Sequence, residues 1–207
     1  MCQQNWRQAQ SFDITAIMKT IARPAFAETE EKKSRFLAEL VFHDDLARRI
    51  DALRALHPKA NHHVNAYRYL NEEDQLIEHG KDDGEPSGTS GIPCLKVLQG
   101  RDLINVAVIV TRYFGGTKLG TGGLVRAYSG AANAVCDVAE IIDYIPQGEA
   151  DLFAGFSDAG TLEQACAQDG ITILDRQFDT QGTRIKIAGP REILGELAKR
   201  FPLPDAD

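Results

Sequence analysis

No Cys-x-x-Cys pair occurs among the four cysteines, Cys2, Cys94, Cys136 and Cys166, which are scattered along 207 residues. That spacing excludes a zinc knuckle and a thioredoxin-type centre, and thiols without a disulfide framework suit a reducing cytosol. No apolar run approaches the roughly 20 residues that cross a bilayer, and no signal peptide is recognised. A soluble cytoplasmic protein with no membrane partner is expected. Positive charge is in deficit, with 23 Lys+Arg against 30 Asp+Glu and a net charge of −7. A general electrostatic binder of nucleic acid is therefore excluded, and any such contact needs a local basic patch. No Walker A triplet, nucleophile elbow, internal repeat or low-complexity segment is found. Hydrophobic residues make up 43% of the chain, enough for a folded core.

Residues 1–20 are weakly patterned and read as a leader. A first domain is expected over 21–143. Strands are predicted over Ala25–Glu31 and Arg35–His43, joined by the turn Glu31-Lys32-Lys33-Ser34. A helix capped by Asp44 or Asp45 carries Leu46, Ile50, Leu53 and Leu56 on one face. Strands over His62–Leu70 and Gln75–His79 follow, then a polar loop, Asp82 to Gly91. Thr89 or Ser90 can cap the next helix, with Pro93 in its first turn. The β-branched run Ile104–Val110 predicts a central strand, and the helix after it is expected to reach about Asp143. Pro146 and Gly148 mark a boundary. Over 148–207 the order is βαββα, most of a ferredoxin-like module, with Phe201–Asp207 too short and proline-rich for a convincing last strand. Residues 1–143 carry 17 basic against 19 acidic residues and 144–207 carry 6 against 11, giving −2 and −5. The second domain is the poorer candidate for a polyanion.

The run Arg112-Tyr113-Phe114-Gly115-Gly116-Thr117-Lys118-Leu119-Gly120-Thr121-Gly122-Gly123-Leu124-Val125-Arg126 lies between the central strand and a helix. Glycine lets a backbone approach a ligand closely, and a helix start offers free N–H groups to an anion. Arg112, Lys118 and Arg126 add mobile positive charge, and the assembly suits a phosphate. A tight turn with close helix–sheet packing explains the same glycines. Of Tyr113 and Phe114, one ring should face the core and the other the opposite side, where it could stack on a base; packing of both rings is the equal alternative.

Asp82, Asp83 and Glu85 could hold Mg²⁺ beside that loop. The plainer expectation is that they cap backbone groups of Ser87–Gly91 and pair with Arg112 or Lys118, with no metal bound. His62 and His63 are adjacent on a strand, so they face opposite ways and cannot readily share a metal. One of them could act as a base near the acidic loop, and packed or hydrogen-bonded rings are the plainer reading.

These motifs resemble the IMPACT family in its bacterial YigZ-type branch. The resemblance rests on Arg112–Tyr128, on Lys33-Ser34-Arg35-Phe36, on Ala60-x-His62-His63 with Ala66-Tyr67, and on Asp82-Asp83-Gly84-Glu85-Pro86-x-Gly88-Thr89-x-Gly91. It spans roughly Glu28 to Ala139, and Cys94 stands where the family usually has an aliphatic residue. The resemblance implies two α/β (α+β) domains. The first would be ribosomal protein S5 domain 2-like, and the second would be a small ferredoxin-like domain, similar to the C-terminal domain of an elongation factor. Eukaryotic members regulate translation by binding a partner of a stress-activated kinase. The reading taken is a non-catalytic regulator or accessory factor of translation, without a cofactor, contacting RNA or the ribosome. Its phosphate contacts would be Arg112, Tyr113, Phe114, Gly115, Gly116, Lys118, Gly120, Gly122, Gly123 and Arg126, with His62, His63, Asp82, Asp83 and Glu85 as accessory groups. A Mg-dependent enzyme acting on a phosphorylated small molecule and a pure protein-interaction module are the alternatives.

Overall fold

The computed structural model describes residues 18–204. The chain divides after Tyr144 into two compact units. In the first, strands β2 (Ala25–Glu31), β3 (Ser34–Phe42), β4 (His62–Leu70), β5 (Leu76–Lys81) and β6 (Val106–Tyr113) form one sheet in the order β2-β3-β6-β4-β5. All its neighbours run antiparallel. The helices are α1 (Leu46–Leu56), α2 (Gly91–Gly100) and α3 (Thr121–Val138).

Strand β6 explains its own composition. Val106, Val108 and Val110 alternate onto the face covered by α2 and α3, where Phe36, Leu40, Leu98, Tyr128 and Val135 complete the main core. Ala107 and Ile109 point the other way, against Leu53, Leu46 and Ile50 of α1. A strand buried on both faces reads as a continuous apolar run.

Three expectations are corrected. The helix predicted to reach Asp143 stops at Val138, because Ala139 turns extended and Ile141–Asp143 forms a strand, β7. Its partner is β1 (Lys19–Ile21), at the end of the segment read as an unpatterned leader. The remainder of that leader, 1–17, lies outside the described residues. The central strand, expected over Ile104–Val110, runs from Val106 to Tyr113 and takes Arg112 out of the loop.

The second unit contains β8 (Gln147–Gly155), α4 (Ala159–Gln168), β9 (Thr172–Phe178), β10 (Gly182–Pro190) and α5 (Arg191–Arg200). Its antiparallel sheet has the order β8-β10-β9. Leu152, Ile185 and Ile187 pack under Leu162 and Leu194. After α5, the Phe201 carbonyl accepts from Phe153 N–H on the outer edge of β8, and no further strand forms among the described residues. Among these residues no helix is long and apolar enough to cross a membrane.

Candidate functional site

Arg112 shares the alternation of Val106, Val108 and Val110, so its side chain enters the face under α2 and α3 and is 6% exposed. A buried guanidinium requires an anion. Glu85 supplies it, with Oε1 2.5 Å from Arg112 Nη1. The same oxygen accepts the Tyr128 hydroxyl at 2.7 Å, and His62 Nε2 lies 3.7 Å away. The guanidinium carbon sits 5.6 Å from the Phe36 ring centre and 5.7 Å from that of Phe114. Burial and then Glu85 push the Tyr128 hydroxyl far up, so it stays protonated and donates. Arg112, expected as a mobile phosphate contact, is instead an internal strut. Its removal from the loop follows from strand parity and from the carboxylate that neutralises it.

Tyr113 points to the α1 side, where its hydroxyl is 2.8 Å from His57 Nδ1. Phe114 follows the strand end and is 47% exposed, held through its N–H by Asn61 Oδ1.

The acidic loop diverges. Asp82 turns to the start of α2 and accepts from Gly88 N–H (2.7 Å), Ser90 N–H (3.0 Å), Gly91 N–H (2.8 Å) and the Ser90 hydroxyl (2.6 Å). Ser90 stands at the cap position but makes no side-chain cap; Asp82, from eight residues upstream, does so instead. Asp83 accepts from His63 N–H at 2.7 Å and lies 3.7 Å from Arg54. Glu85 is buried with Arg112. The three carboxylates thus face three different protein donors, and no group of His, Cys, Asp and Glu among the described residues is arranged to hold a metal ion. His62 and His63 do face opposite ways. His62 Nδ1 meets the Asp83 carbonyl at 2.9 Å, and buried His63 meets Thr111 Oγ1 at 3.0 Å. Burial holds the His63 pKa below the usual imidazole value.

Burial raises the Asp82 carboxyl pKa, but its hydrogen bonds from Ser90, Gly88 and Gly91 outweigh this and hold it below the ordinary value. A lowered folded-state pKa gives stability that is complete above the ordinary carboxylate range and is lost as pH falls towards the folded value. Asp82→Asn is expected to flatten the acid limb of a stability–pH profile. Asp82→Ala should cost about 1–2 kcal/mol at neutral pH, read from urea midpoints.

The outer end of the site is open. Helix α3 begins after Gly120, which has no side chain to cap it, and the first intrahelical bond is Leu124 N–H to the Gly120 carbonyl. The amides of Thr121, Gly122 and Gly123 precede that bond and have no acceptor within the helix. Gly120, Thr121 and Gly122 are exposed. Lys118 and Arg126 are exposed and form no ion pair among the described residues. The β2–β3 turn touches the loop at Gly115, where a Cβ would lie 2.0 Å from the Lys33 carbonyl carbon and the N–H donates to Ser34 Oγ at 3.1 Å. That turn presents Lys32 and Lys33, both exposed and likewise without an ion pair. Arg35 is occupied by Glu28 at 2.7 Å. Among the described residues, four cations without an ion pair therefore lie on the glycine-rich loop, on the start of α3 and on the β2–β3 turn that touches that loop. The sequence places Lys32 and Lys33 in a hairpin turn, and nothing in their spacing shows the contact with Gly115.

The sequence model of the Impact N-terminal domain matches residues 32–136. An "IMPACT family member" of Haemophilus influenzae is 40% identical over 157 residues, covering 73% of this chain and 75% of the relative. The Escherichia coli "IMPACT family member YigZ" is 41% identical over 115 residues, 54% of this chain and 56% of the relative. The Bacillus subtilis "IMPACT family member YvyE" is 47% identical over 100 residues, 47% of this chain and 45% of the relative. The matched segments thus span about half the length of the last two. A crystal structure described as that of a hypothetical protein is similar to this chain with a TM-score of 0.66 and 29% identity, over 88% of this chain and 90% of that one.

Proposed function

This chain belongs to the bacterial IMPACT family, and from that premise we propose that it is a non-catalytic accessory factor of translation, meeting phosphates of RNA or the ribosome through its first unit. The observation that carries this reading is a set of four cations without an ion pair among the described residues, Lys118 and Arg126 flanking an uncapped helix start and Lys32 and Lys33 on the turn that touches the same loop, on a chain of net charge −7. Backbone amides and lysines recognise phosphate without reading sequence, so binding should be salt-sensitive and weakly selective. Exposed Phe114 adds a ring on which an unpaired base can stack. Arg112 supports this surface from beneath and contacts no phosphate. The divergence of Asp82, Asp83 and Glu85 speaks against phosphoryl-transfer chemistry at this place. The same reading assigns the first unit to the ribosomal protein S5 domain 2-like fold. It assigns the second to the ferredoxin-like fold, supported by βαββα order and the strand order β8-β10-β9. Cytoplasmic residence follows from the role.

The test is a salt series of single-stranded RNA binding by the wild type and by Lys118→Ala. The variant should bind more weakly at low salt, with a log–log salt slope shallower by about 1. Equal affinity of the two proteins at every salt concentration would overturn the lysine's role.

A further inference from the structure

A cleft of about 610 Å³ lies between α2 and α3, lined from Ile92 to Arg101 on one side and from Val125 to Asn133 on the other. On a helix layer backed by a sheet, this face should be polar. Here it carries an apolar strip among polar residues: Ile92 is 42% and Val125 39% exposed, and buried Pro93 and Val97 line the same cleft. Lys96 and Arg101 line the α2 edge, and no carboxylate lines the cleft, although the chain as a whole is acidic. Arg101 is anchored by Asn133 and Asp137, whereas Lys96 is exposed without an ion pair among the described residues. On α3, Val125, Ser129 and Asn133 recur every four residues and make a straight, small-to-medium ridge along the other edge.

We propose that this cleft is a docking groove for an amphipathic, acidic α-helix of a partner protein. Ile92, Pro93, Val97 and Val125 would receive its apolar stripe, and Lys96 would meet carboxylates along one side of it. Lys96, the lining charge without an ion pair among the described residues, favours carboxylates on the partner. The walls are two helices whose backbone hydrogen bonds are internal, so the groove offers side-chain ridges and no free strand edge for an extended peptide. An apolar floor without an aromatic ring gives a nucleic-acid base nothing to stack on. The groove shares helix α3 with the phosphate surface but none of its residues, which are Lys32, Lys33, Lys118, Arg126 and the amides at the start of α3.

The probe is a short synthetic helix with leucines at i, i+3, i+4 and i+7 flanked by glutamates. Its controls are the same peptide with lysines for glutamates and a scrambled acidic peptide. Binding to the full-length ¹⁵N-labelled chain is followed by amide shifts. The acidic helix should move resonances of Ile92, Lys96, Val97 and Val125 and leave Lys32, Lys33 and Lys118 in place. Lys96→Glu, an exposed change with the fold checked by circular dichroism, should weaken the acidic helix by about tenfold and admit the lysine helix. Val125→Asp should weaken both. The inference is overturned by no saturable binding of the acidic helix, by equal binding of the scrambled peptide, or by shifts centred on the glycine-rich loop. It is equally overturned if Lys96→Glu leaves the peptide preference unchanged. An RNA oligonucleotide that displaces the acidic helix from the wild type would also overturn it, by showing one surface where two are claimed.

Discussion

Glu85→Ala is expected to cost the first unit about 3–5 kcal/mol, the loss that follows when one member of a buried ion pair is removed. Both side chains are nearly sealed, Glu85 at 4% and Arg112 at 7% exposure. The deletion strands a guanidinium beneath Phe114 whose Nε already lacks a hydrogen-bond partner. It also takes the acceptor from the Tyr128 hydroxyl, which burial keeps protonated. Glu85→Gln should lose less, since an amide oxygen can still accept from Tyr128 but carries no charge. The pair Glu85→Leu with Arg112→Met should recover most of the loss, because a well-packed apolar pair needs no desolvated charge. Hydrogen exchange of the β6 amides under rising urea reads the first unit directly. A loss below about 1 kcal/mol for Glu85→Ala would mean that Arg112 finds another partner, and the internal strut would be refuted.

That strut marks where the sequence stopped being readable. Strand β4 (His62–Leu70) was legible to the residue and helix α1 (Leu46–Leu56) by its apolar spacing, a local signal, although Asp45 at its start makes no side-chain cap. The βαββα order of the second unit was legible for the same reason. Strand β6 was cut short in the reading because Arg112 ends the apolar run, and a charged residue normally signals exposure. The signal that finds it is parity: Arg112 is in step with Val106, Val108 and Val110, so it had to enter the core and find a carboxylate there. Which carboxylate it finds, 27 positions upstream, is set by the path of the acidic loop, and no local pattern encodes that. The cap of α2 by Asp82 across the loop, the β1–β7 pairing and the contact of Gly115 with the Lys33 turn are non-local in the same way. The glycines of the acidic and glycine-rich loops carried a correct warning that backbones come close. They left open whether the neighbour is a ligand or the protein itself.

At Gly91 the neighbour is the protein itself, and Gly91→Ala should therefore be among the most damaging single changes in the first unit. A Cβ there would stand 2.5 Å from Lys81 N and 2.6 Å from Gly80 C, and a Cβ on Gly80 would stand 2.6 Å from Gly91 C and O. These are backbone atoms, which cannot swing aside as a flexible side chain can. Helix α2 cannot retreat easily either, because Asp82 grips its first turn through the amides of Ser90 and Gly91. Strand β5 is tied to β4 from Leu76 to Lys81. The methyl must then prise a helix from a strand or break the cap, and a loss of about 3 kcal/mol or more is expected, at the upper end of overpacking. Gly130→Ala supplies the opposite sign from the same chemical change. Gly130 is exposed inside α3, and nothing lies within 4 Å of its added Cβ. There alanine should stabilise by about 0.5–1 kcal/mol through helix propensity and a less flexible unfolded chain. Urea midpoints of the two variants should fall on either side of the wild type. If Gly91→Ala is neutral, β5 and α2 are not in backbone contact, and the anchoring of α2 by Asp82 falls with it.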